Sequence, residues 1–440
     1  MADPITLDVY VDEARVGVLG TNPEGLFIFT YLPEATPDQL VSLTMPVRAE
    51  SYKWGRGGLH PYFQMNLPEG TKKDLVRQRL GSLTQVTDIA LLAFTAQRTI
   101  GRVSCVPQGQ PLLNAQDNLQ VATLLASPNA RELLLQHLEA GVTEGVSGVM
   151  PKLLRDDKAT TATNEYIVKT GRPDLPGLSI NEYLCLRAAA RAGLTVPETQ
   201  LSDDGEVLAI RRFDHPTPGL TLGVEDFCSL QGNDPESKYD GSLENIAARL
   251  KDYVPPQHFN ENANRLFKLL LLNYAIHNAD AHLKNFALTY TSLADVALAP
   301  VYDILTVTAF PTYAMNIPGL TLEGKKAWVC GKSLHKYAAQ RLQLSPVVRA
   351  EALSSVTTAL HSTFPDIQAY AEKYPFFRPA AKRMVDEWEK GLAAIQPTAN
   401  SRVPPPGDVR ASLGMSDVEP GDRKVNAYKN LDGAFSHKAR

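Results

Sequence analysis

A run of polar side chains follows directly on the most apolar helical segment of the chain, and this junction limits what the sequence can fold into. Residues 263–276 have the pattern of a buried helix, and residues 277–286, HNADAHLKNF, come immediately after it. Polar groups at the end of a buried element must be hydrogen-bonded or bind a ligand. The junction therefore predicts a functional loop at the end of a core helix.

Two residues of this loop match the spacing of a kinase catalytic loop. Asp280 and Asn285 are five positions apart, as are the catalytic aspartate and the metal-binding asparagine of protein kinases. Asp280 would then accept or orient the proton of the substrate hydroxyl, and the amide oxygen of Asn285 would bind Mg²⁺. Asp303, between apolar residues of a predicted short strand over 300–304, would supply a metal carboxylate. The alternative for both aspartates is a capping or turn residue.

Three features upstream come in the order that a kinase requires. Residues 145–152, GVSGVMPK, contain a Gly–Ser turn that suits phosphate contacts through backbone N–H groups. Lys169 ends an apolar strand, and Glu182 in the following helix would hold its ammonium by an ion pair. Taken singly, these features fit a plain loop, a solvated edge lysine and an acid favoured by the helix dipole. Together with Asp280 and Asp303 they favour phosphoryl transfer.

Two rival chemistries fit less well. A zinc site at His277 and His282 lacks the H-x-x-x-H spacing and has no accompanying cysteines. We interpret His282 instead as a residue that orients Asp280. A Ser-His-Asp hydrolase would need a G-x-S-x-G turn, which the GVSG of residues 145–148 does not provide.

The hydrophobic periodicity predicts a small α/β unit, then a strand-rich lobe, then a helical lobe. Strands are expected at 6–11, from Val16, at 26–32, 101–107, 164–171 and in two runs between 194 and 214, with a loop at 51–60. Helices are expected at 87–96, 127–140, 179–193, from 243, and at 263–276, 346–360, 366–373 and 380–395. We expect subdomains at 1–108, 109–215 and 216–396, followed by a flexible or docked tail at 397–440.

The composition argues against several classes of protein. Of the 440 residues, 44% are hydrophobic and 21% are charged, with a formal net charge of −4, which is typical of a soluble globular protein. The first residues lack the cationic start and apolar core of a secretory signal, and no apolar stretch is long enough to span a bilayer. Four cysteines without a C-x-x-C pair predict buried or half-buried thiols, so we expect a cytoplasmic protein.

Several motifs together resemble the HipA family, the serine/threonine kinase toxins of bacterial type II toxin–antitoxin systems. The resemblance extends over about residues 5–395. In the N-terminal part it depends on ARVG at 14–17, NLPEG at 66–70 and IGRV at 100–103. In the remainder it depends on SGVMPK at 147–152, NEY at 181–183, RFD at 212–214, EDFC at 225–228, DAHLKNF at 280–286 and APVYD at 299–303.

The resemblance implies an α+β, two-lobed protein-kinase-like fold related to phosphoinositide kinases. An extra N-terminal α/β subdomain and a helical C-terminal lobe belong to that fold. ATP and Mg²⁺ are the implied cofactors. The family pattern makes Lys169 a ligand of the ATP phosphates, Arg211 to Phe213 the hinge beside adenine, Asp280 the catalytic base, and Asn285 and Asp303 the Mg²⁺ ligands. The further implied nucleotide-binding positions are Ser147, Gly148, Lys152, Glu182, His282 and Lys284.

The resemblance also implies partners. The expected ones are a HipB-like helix-turn-helix antitoxin, operator DNA bound through that antitoxin, and a protein substrate, an aminoacyl-tRNA synthetase, whose phosphorylation arrests growth. Many members have a serine at the position of Gly145, whereas this chain keeps Ser147 alone. A phosphate on Ser147 would add about −1.5 to −2 charge to a loop that holds ATP phosphates. We therefore expect Ser147 to be an inhibitory autophosphorylation site.

Two other functions stay open at this point. The first is a catalytically weak co-repressor that bridges antitoxin and DNA, for which Asp280, Asn285 and Asp303 would be unnecessary. The second is a lipid or small-molecule kinase, which should carry a basic or amphipathic membrane face. We find no such segment and expect no membrane contact.

Overall fold

The computed structural model describes residues 5–22, 24–55, 58–68, 87–95, 99–112, 119–143 and 159–397. Ser147, Gly148, Lys152 and residues 398–440 of the expected tail lie outside these ranges. Within them, none of the helices combines the length and the apolarity that a membrane crossing requires. The described chain mixes helices and strands in an α+β fold, as the sequence predicts.

The N-terminal part forms an antiparallel sheet of five strands in the order β4-β3-β2-β1-β5. The strands are β1 (Leu7–Val11), β2 (Ala14–Thr21), β3 (Phe27–Tyr31), β4 (Tyr52–Trp54) and β5 (Val103–Pro107). Leu7, Val9 and Val11 alternate onto the buried face, which confirms the period-two pattern of the first strand. The prediction of a loop over 51–60 was wrong for β4, because Tyr52 and Trp54 pair with β3.

Two short helices, α1 (Pro61–Gln64) and α2 (Asp88–Thr95), accompany this sheet. The helix predicted over 87–96 is therefore confirmed. Tyr62, Phe63, Leu91 and Leu92 are buried with the inward side chains of β1, β2 and β3 in one hydrophobic cluster. This cluster gives the N-terminal unit a core of its own.

A second, central sheet has the strand order β6-β7-β9-β8. It consists of β6 (Ala159–Ala162), β7 (Tyr166–Thr170), β8 (Thr199–Leu201) and β9 (Val207–Arg211). Helices α3 (Val121–Leu125) and α4 (Ala130–Thr143) precede it, and α5 (Leu178–Arg191) connects β7 to β8. Val168, Val207 and Ala209 pack with Leu124 and Leu134 on one face of this sheet, whereas Leu208 and Ile210 join the main core with α5.

The remainder is mainly helical. It contains α6 (Phe227–Leu230), α7 (Leu243–Tyr253), α8 (Pro256–Ala275), α9 (Gly331–Gln340), α10 (Pro346–Lys373) and α11 (Arg378–Ala394). A small sheet in the order β10-β11-β12 lies beside them, formed by β10 (Gly223–Asp226), β11 (Ala287–Tyr290) and β12 (Ala297–Leu298). The helix predicted at 263–276 begins earlier, at Pro256, because the proline occupies the first helical position, where no N–H is needed.

Helix α10 corrects the prediction of two helices at 346–360 and 366–373. It runs unbroken for 28 residues and contains Pro365. An interior proline costs about 3 kcal/mol. The buried side chains of Leu360, Phe364 and Ile367 on either side each contribute about 1.5–3 kcal/mol by burial. Packing against α5, α8 and α11 therefore outweighs the local penalty.

The cysteines partly correct the expectation of buried or half-buried thiols. Cys105, Cys185 and Cys228 are buried, but Cys330 is exposed. It precedes the first residue of α9. The N-H groups at this helix start lower the pKa of the Cys330 thiol, the bond from Ser333 most strongly.

A buried carboxylate joins the N-terminal unit to the helical part. Glu225, at the end of β10, accepts hydrogen bonds from Ser42 Oγ at 2.9 Å and Leu43 N at 2.8 Å, both in the N-terminal unit. Ser229 Oγ donates a further bond at 2.9 Å from α6. Burial raises the pKa of Glu225 to about 7 despite these donors. The carboxyl group of Glu225 is thus a direct link between the two parts.

We expect Glu225 to make stability fall as pH rises from about 4.5 to 7. The folded protein keeps the proton in this window while the unfolded chain releases it, so the unfolded state binds fewer protons and unfolding becomes easier. In Glu225→Gln this titration is lost. Urea unfolding of both proteins should show their difference in free energy changing by about 2–3 kcal/mol between pH 5 and pH 8. A difference that does not vary with pH would contradict this role.

Candidate active site

The polar loop after α8 is held together by its own side chains. The helix ends at Ala275, and His277 adopts a left-handed conformation with φ 51°. Asn278 donates its amide to Asn273 Oδ1 at 2.9 Å and accepts a hydrogen bond from the backbone N–H of Asp280 at 3.2 Å. The buried loop thereby satisfies polar groups that would otherwise destabilise the core.

Asn285 is fixed by the backbone of Asp280. The amide nitrogen Nδ2 of Asn285 donates to Asp280 O at 2.8 Å, and the N–H of His282 donates to the same oxygen at 2.8 Å. Because Nδ2 is committed to the loop, the amide oxygen Oδ1 points away from that contact. An amide oxygen is a ligand that Mg²⁺ accepts. This part of the site fits the metal that the sequence implies.

Lys169 lies between two carboxylates. From β7, its Nζ is 2.7 Å from Glu182 Oε1 on α5 and 2.8 Å from Asp303 Oδ1. The side chains of Lys169 and Glu182 are 13% and 5% exposed, so the pair is largely shielded from solvent. The ion pair expected from the sequence between Lys169 and Glu182 is present, and it extends to Asp303.

Asp303 is not in a strand, which corrects the prediction for residues 300–304. Strand β12 ends at Leu298, and Asp303 has φ 53°, a left-handed conformation that an extended strand does not contain. Pro300 also has no N–H to give to a neighbouring strand. The turn directs the carboxylate of Asp303 to Lys169.

The expected hinge residues differ in where their side chains lie. The guanidinium of Arg211 is 49% exposed and is 3.7 Å from Glu198 at the surface. The ring of Phe213 stacks on Tyr302, with 5.6 Å between the ring centroids. The structure therefore brings Phe213 beside the residue that precedes Asp303, whereas it directs the side chain of Arg211 outward.

Tyr302 links the turn of Asp303 to the loop of Asp280. Its hydroxyl donates to the backbone oxygen of Lys284 at 2.7 Å, and burial raises its pKa well above the usual value. Lys284 and Asn285 are neighbours in a short 3-10 turn, Leu283–Asn285. The two groups of predicted residues, one around Lys169 and one around Asp280, are thereby connected.

Tyr239 contacts the predicted catalytic base. Its hydroxyl donates a hydrogen bond to Asp280 Oδ1. The ring of His282, which we expected to orient Asp280, packs edge-on against Tyr239, with 4.9 Å between the centroids. Neither Tyr239 nor Tyr302 was predicted from the sequence to belong to the site. Tyr302 could have been found beside Asp303, but Tyr239 is 41 residues from Asp280 and belongs to no recognised motif.

The two histidines of the rejected zinc site have different neighbours. His277 Nδ1 is 2.6 Å from Glu387 Oε2 on α11, and its ring lies 4.7 Å from that of Trp328. Burial alone would raise the pKa of Glu387, but bonds from His277 and Lys390 lower it to about 2. Within the described ranges, no three or more His, Cys, Asp or Glu side chains form a group that could hold a metal ion.

Comparison with known families and structures supports the relationship implied by the motifs. The model of the HipA-like C-terminal domain matches residues 145–364, and that of the HipA N-terminal domain matches residues 7–106. The chain belongs to the HipA family. The first match contains every predicted site residue, including the Ser147 region outside the described ranges.

The chain is also similar to curated proteins named as kinases, and it shares its fold with a solved structure. The Sinorhizobium fredii proteins named "Putative kinase Y4mE" and "Putative kinase Y4dM" are each 27% identical to this HipA-family chain, covering 69% of it and 78% of their own length. A chain of the Shewanella oneidensis HipA, HipB and operator DNA complex aligns with a TM-score of 0.60 at 17% identity. That alignment covers 90% of this chain and 100% of the other. The two-lobed kinase-like fold is thereby shown.

We expect Lys169→Met to lower the free energy of unfolding by about 3 kcal/mol, since it leaves the buried Glu182 and the partly exposed Asp303 without their shared cation. Arg211→Met on neighbouring strand β9 is the matched control. Its exposed pair with Glu198 should contribute less than about 1 kcal/mol. Urea unfolding at pH 7 measures both. Equal losses for the two variants would show that the Lys169 pairs do not stabilise the fold.

Proposed function

We propose that this HipA-family protein is an ATP-dependent serine/threonine protein kinase. The observation that carries the proposal is the joining of Lys169, Glu182 and Asp303 in one ion-paired group that Tyr302 connects to the loop of Asp280. A lysine, its helix carboxylate, a metal aspartate and a catalytic loop are the parts that kinases require. A group of ion pairs that only stabilised the fold would not need a catalytic loop beside it.

Each residue has a distinct task in this proposal. Lys169 binds ATP phosphate oxygens, and Glu182 keeps its ammonium in place. Asp280 accepts the hydrogen bond of the substrate hydroxyl and takes its proton as the new O–P bond forms and ADP departs. Phe213 and its neighbours border the adenine. Ser147, Gly148 and Lys152 of the Gly–Ser turn, with His282 and Lys284, complete the nucleotide site.

Asn285 and Asp303 are the residues that would hold Mg²⁺. Their amide and carboxylate oxygens are hard ligands of the kind that this ion prefers, and it keeps its remaining positions for water and phosphate. When bound, the ion supplies positive charge that neutralises the phosphate oxygens. Asp303 would then exchange its contact with Lys169 for a contact with the cation.

The biological setting is also part of the proposal. The solved relative is a HipA in complex with HipB and operator DNA. By analogy we propose a HipB-like helix-turn-helix antitoxin that neutralises this chain, with operator DNA bound through the antitoxin. The proposed substrate is a translation-related protein, an aminoacyl-tRNA synthetase, and its phosphorylation arrests growth. The proposed location is the cytoplasm.

We expect Asp280→Asn to lower phosphoryl transfer by about a hundredfold or more, the usual contribution of a positioned base. The amide has the same shape but cannot take the proton, so the thermal midpoint should stay unchanged. Asp252→Asn, at an exposed aspartate paired with Arg249, is the matched control. Transfer of radiolabelled ATP phosphate in lysate and growth after induction measure both variants.

The outcomes of this experiment separate the candidate functions. A labelled protein band and growth arrest with the wild type and Asp252→Asn, but not with Asp280→Asn, support a kinase toxin. Label in the lipid extract instead would indicate a lipid kinase. Harmless expression of all three proteins, with retained binding of the antitoxin, would indicate a co-repressor.

We further propose that Ser147 is autophosphorylated. Wild-type protein incubated with ATP should then gain the mass of one phosphate, whereas Ser147→Ala should not. Ser127, which lies outside the Gly–Ser turn, serves as a control in the variant Ser127→Ala. An equal gain in all three proteins would place the phosphate elsewhere.

A further inference from the structure

Tyr239 makes a side-chain contact with the predicted base from outside the catalytic loop. It follows the 3-10 turn Pro235–Ser237, and its hydroxyl donates a hydrogen bond to Asp280 Oδ1. Asp280 is buried to 93%, with 7% of its surface exposed. A donor on one oxygen of a buried carboxylate restricts rotation of the group about its last bond. The contact therefore fixes the direction in which Asp280 faces the substrate.

The phenol is itself held in place by neighbours on both sides. Its ring packs on His282, and the ammonium groups of Lys238 and Lys326 lie 5.7 and 5.6 Å from the ring centroid. Lys326 Nζ also donates to the backbone oxygen of Tyr239 at 3.2 Å. Cations at this distance from an aromatic ring stabilise it further. A hydroxyl on so constrained a ring has little freedom to leave Asp280.

Residues 238–243 connect the catalytic loop to a second segment, residues 319–326. On one side, the N–H of Leu283 donates to Lys238 O at 3.0 Å. On the other side, the N–H of Thr321 donates to Gly241 O at 3.1 Å, and the N–H of Leu243 donates to Thr321 O at 3.0 Å. The middle segment is thus bonded to both of its neighbours.

Two glycines allow this close layering. A Cβ on Gly241 would lie 2.8 Å from Leu283 Cδ2, and a Cβ on Gly319 would lie 2.8 Å from Ala281 O. Both distances are shorter than real Cβ contacts, so a side chain at Gly319 would press on the loop backbone and one at Gly241 would displace the side chain of Leu283. The sequence keeps residues 238–243 and 319–326 against the loop that carries Asp280.

We propose that Tyr239 is a positioning residue for Asp280 and that Lys326, from the 319–326 segment, supports Tyr239 in this role. The inference rests on the proposed kinase function and adds a residue to it. Tyr239 acts on the reaction through Asp280 and does not itself take the substrate proton. Misplacement of a reacting group by about 1 Å can cost a hundredfold in rate, so the hydroxyl has a measurable effect.

The first test is Tyr239→Phe in the full-length protein. We expect kcat to fall by about ten- to a hundredfold, with KM for ATP, nucleotide affinity and thermal midpoint unchanged. Tyr31→Phe is the matched control, because the Tyr31 hydroxyl is buried and donates to Met45 O at 2.6 Å within the N-terminal unit. If the Tyr239 hydroxyl had only a structural role, both variants would lose stability and both would keep the kcat of the wild type.

A double-mutant cycle tests whether Tyr239 acts through Asp280. In the Asp280→Asn background, Tyr239→Phe should cause no further loss of the residual single-turnover rate, since the group that it positions has lost its function. Additive losses would mean that Tyr239 acts independently and would overturn the proposal. A faster Tyr239→Phe enzyme would also overturn it, because the phenol would then occupy the place of the substrate hydroxyl.

The cycle also separates this inference from the proposed function. Full kinase activity of Asp280→Asn would contradict the kinase assignment itself. A strong loss of phosphoryl transfer in Asp280→Asn, together with a normal kcat in Tyr239→Phe, would contradict only the positioning role of Tyr239. Lys326→Met should reduce kcat less than Tyr239→Phe does, and Lys326→Arg should restore it. Lys336→Met, at an exposed lysine paired with Glu323, is the control and should leave kcat unchanged.

Discussion

The arrangement of the site depends on the two ion pairs of the Lys169 ammonium. The ammonium brings together strand β7, helix α5 and the turn of Asp303 through two contacts of 2.7 and 2.8 Å. A charge so far removed from solvent is costly unless its partners are in place. The same ammonium is the one proposed to bind phosphate oxygens. The cation that pairs with both carboxylates is therefore also the one whose partners nucleotide binding would change.

The catalytic loop depends on hydrogen bonds between its own residues. Asn278 and Asn285 bond to the backbone of Asp280, and these bonds hold together the loop that follows α8. The rotation of the Asp280 carboxylate is restricted by a contact from outside the loop. Tyr239 supplies that constraint from a segment that is distant in sequence, and Tyr302 connects the loop to Asp303.

Local patterns predicted most elements, and they failed where tertiary contacts decide. The alternation of Leu7, Val9 and Val11 was enough to find β1. Strand β4 was missed because pairing with β3 is a long-range contact, and α10 continues through Pro365 because packing outweighs a local penalty. Motif spacing identified the residues around Lys169 and Asp280. It did not predict Tyr239, because a hydrogen bond between residues 41 positions apart produces no periodic pattern in the sequence.

The N-terminal unit also takes part in the surroundings of the site. The buried Arg212 pairs with Asp214 and donates to Thr99 O at 2.9 Å, and Asp214 Oδ2 accepts the N–H of Gly101 at 2.7 Å. Ile100 packs in the same small cluster as Phe213 and Tyr302. Residues 99–101 thus contact the residues that are expected to form the hinge. A displacement of the N-terminal unit would have to break these bonds as well as those of Glu225, so the unit and the proposed adenine site are mechanically coupled.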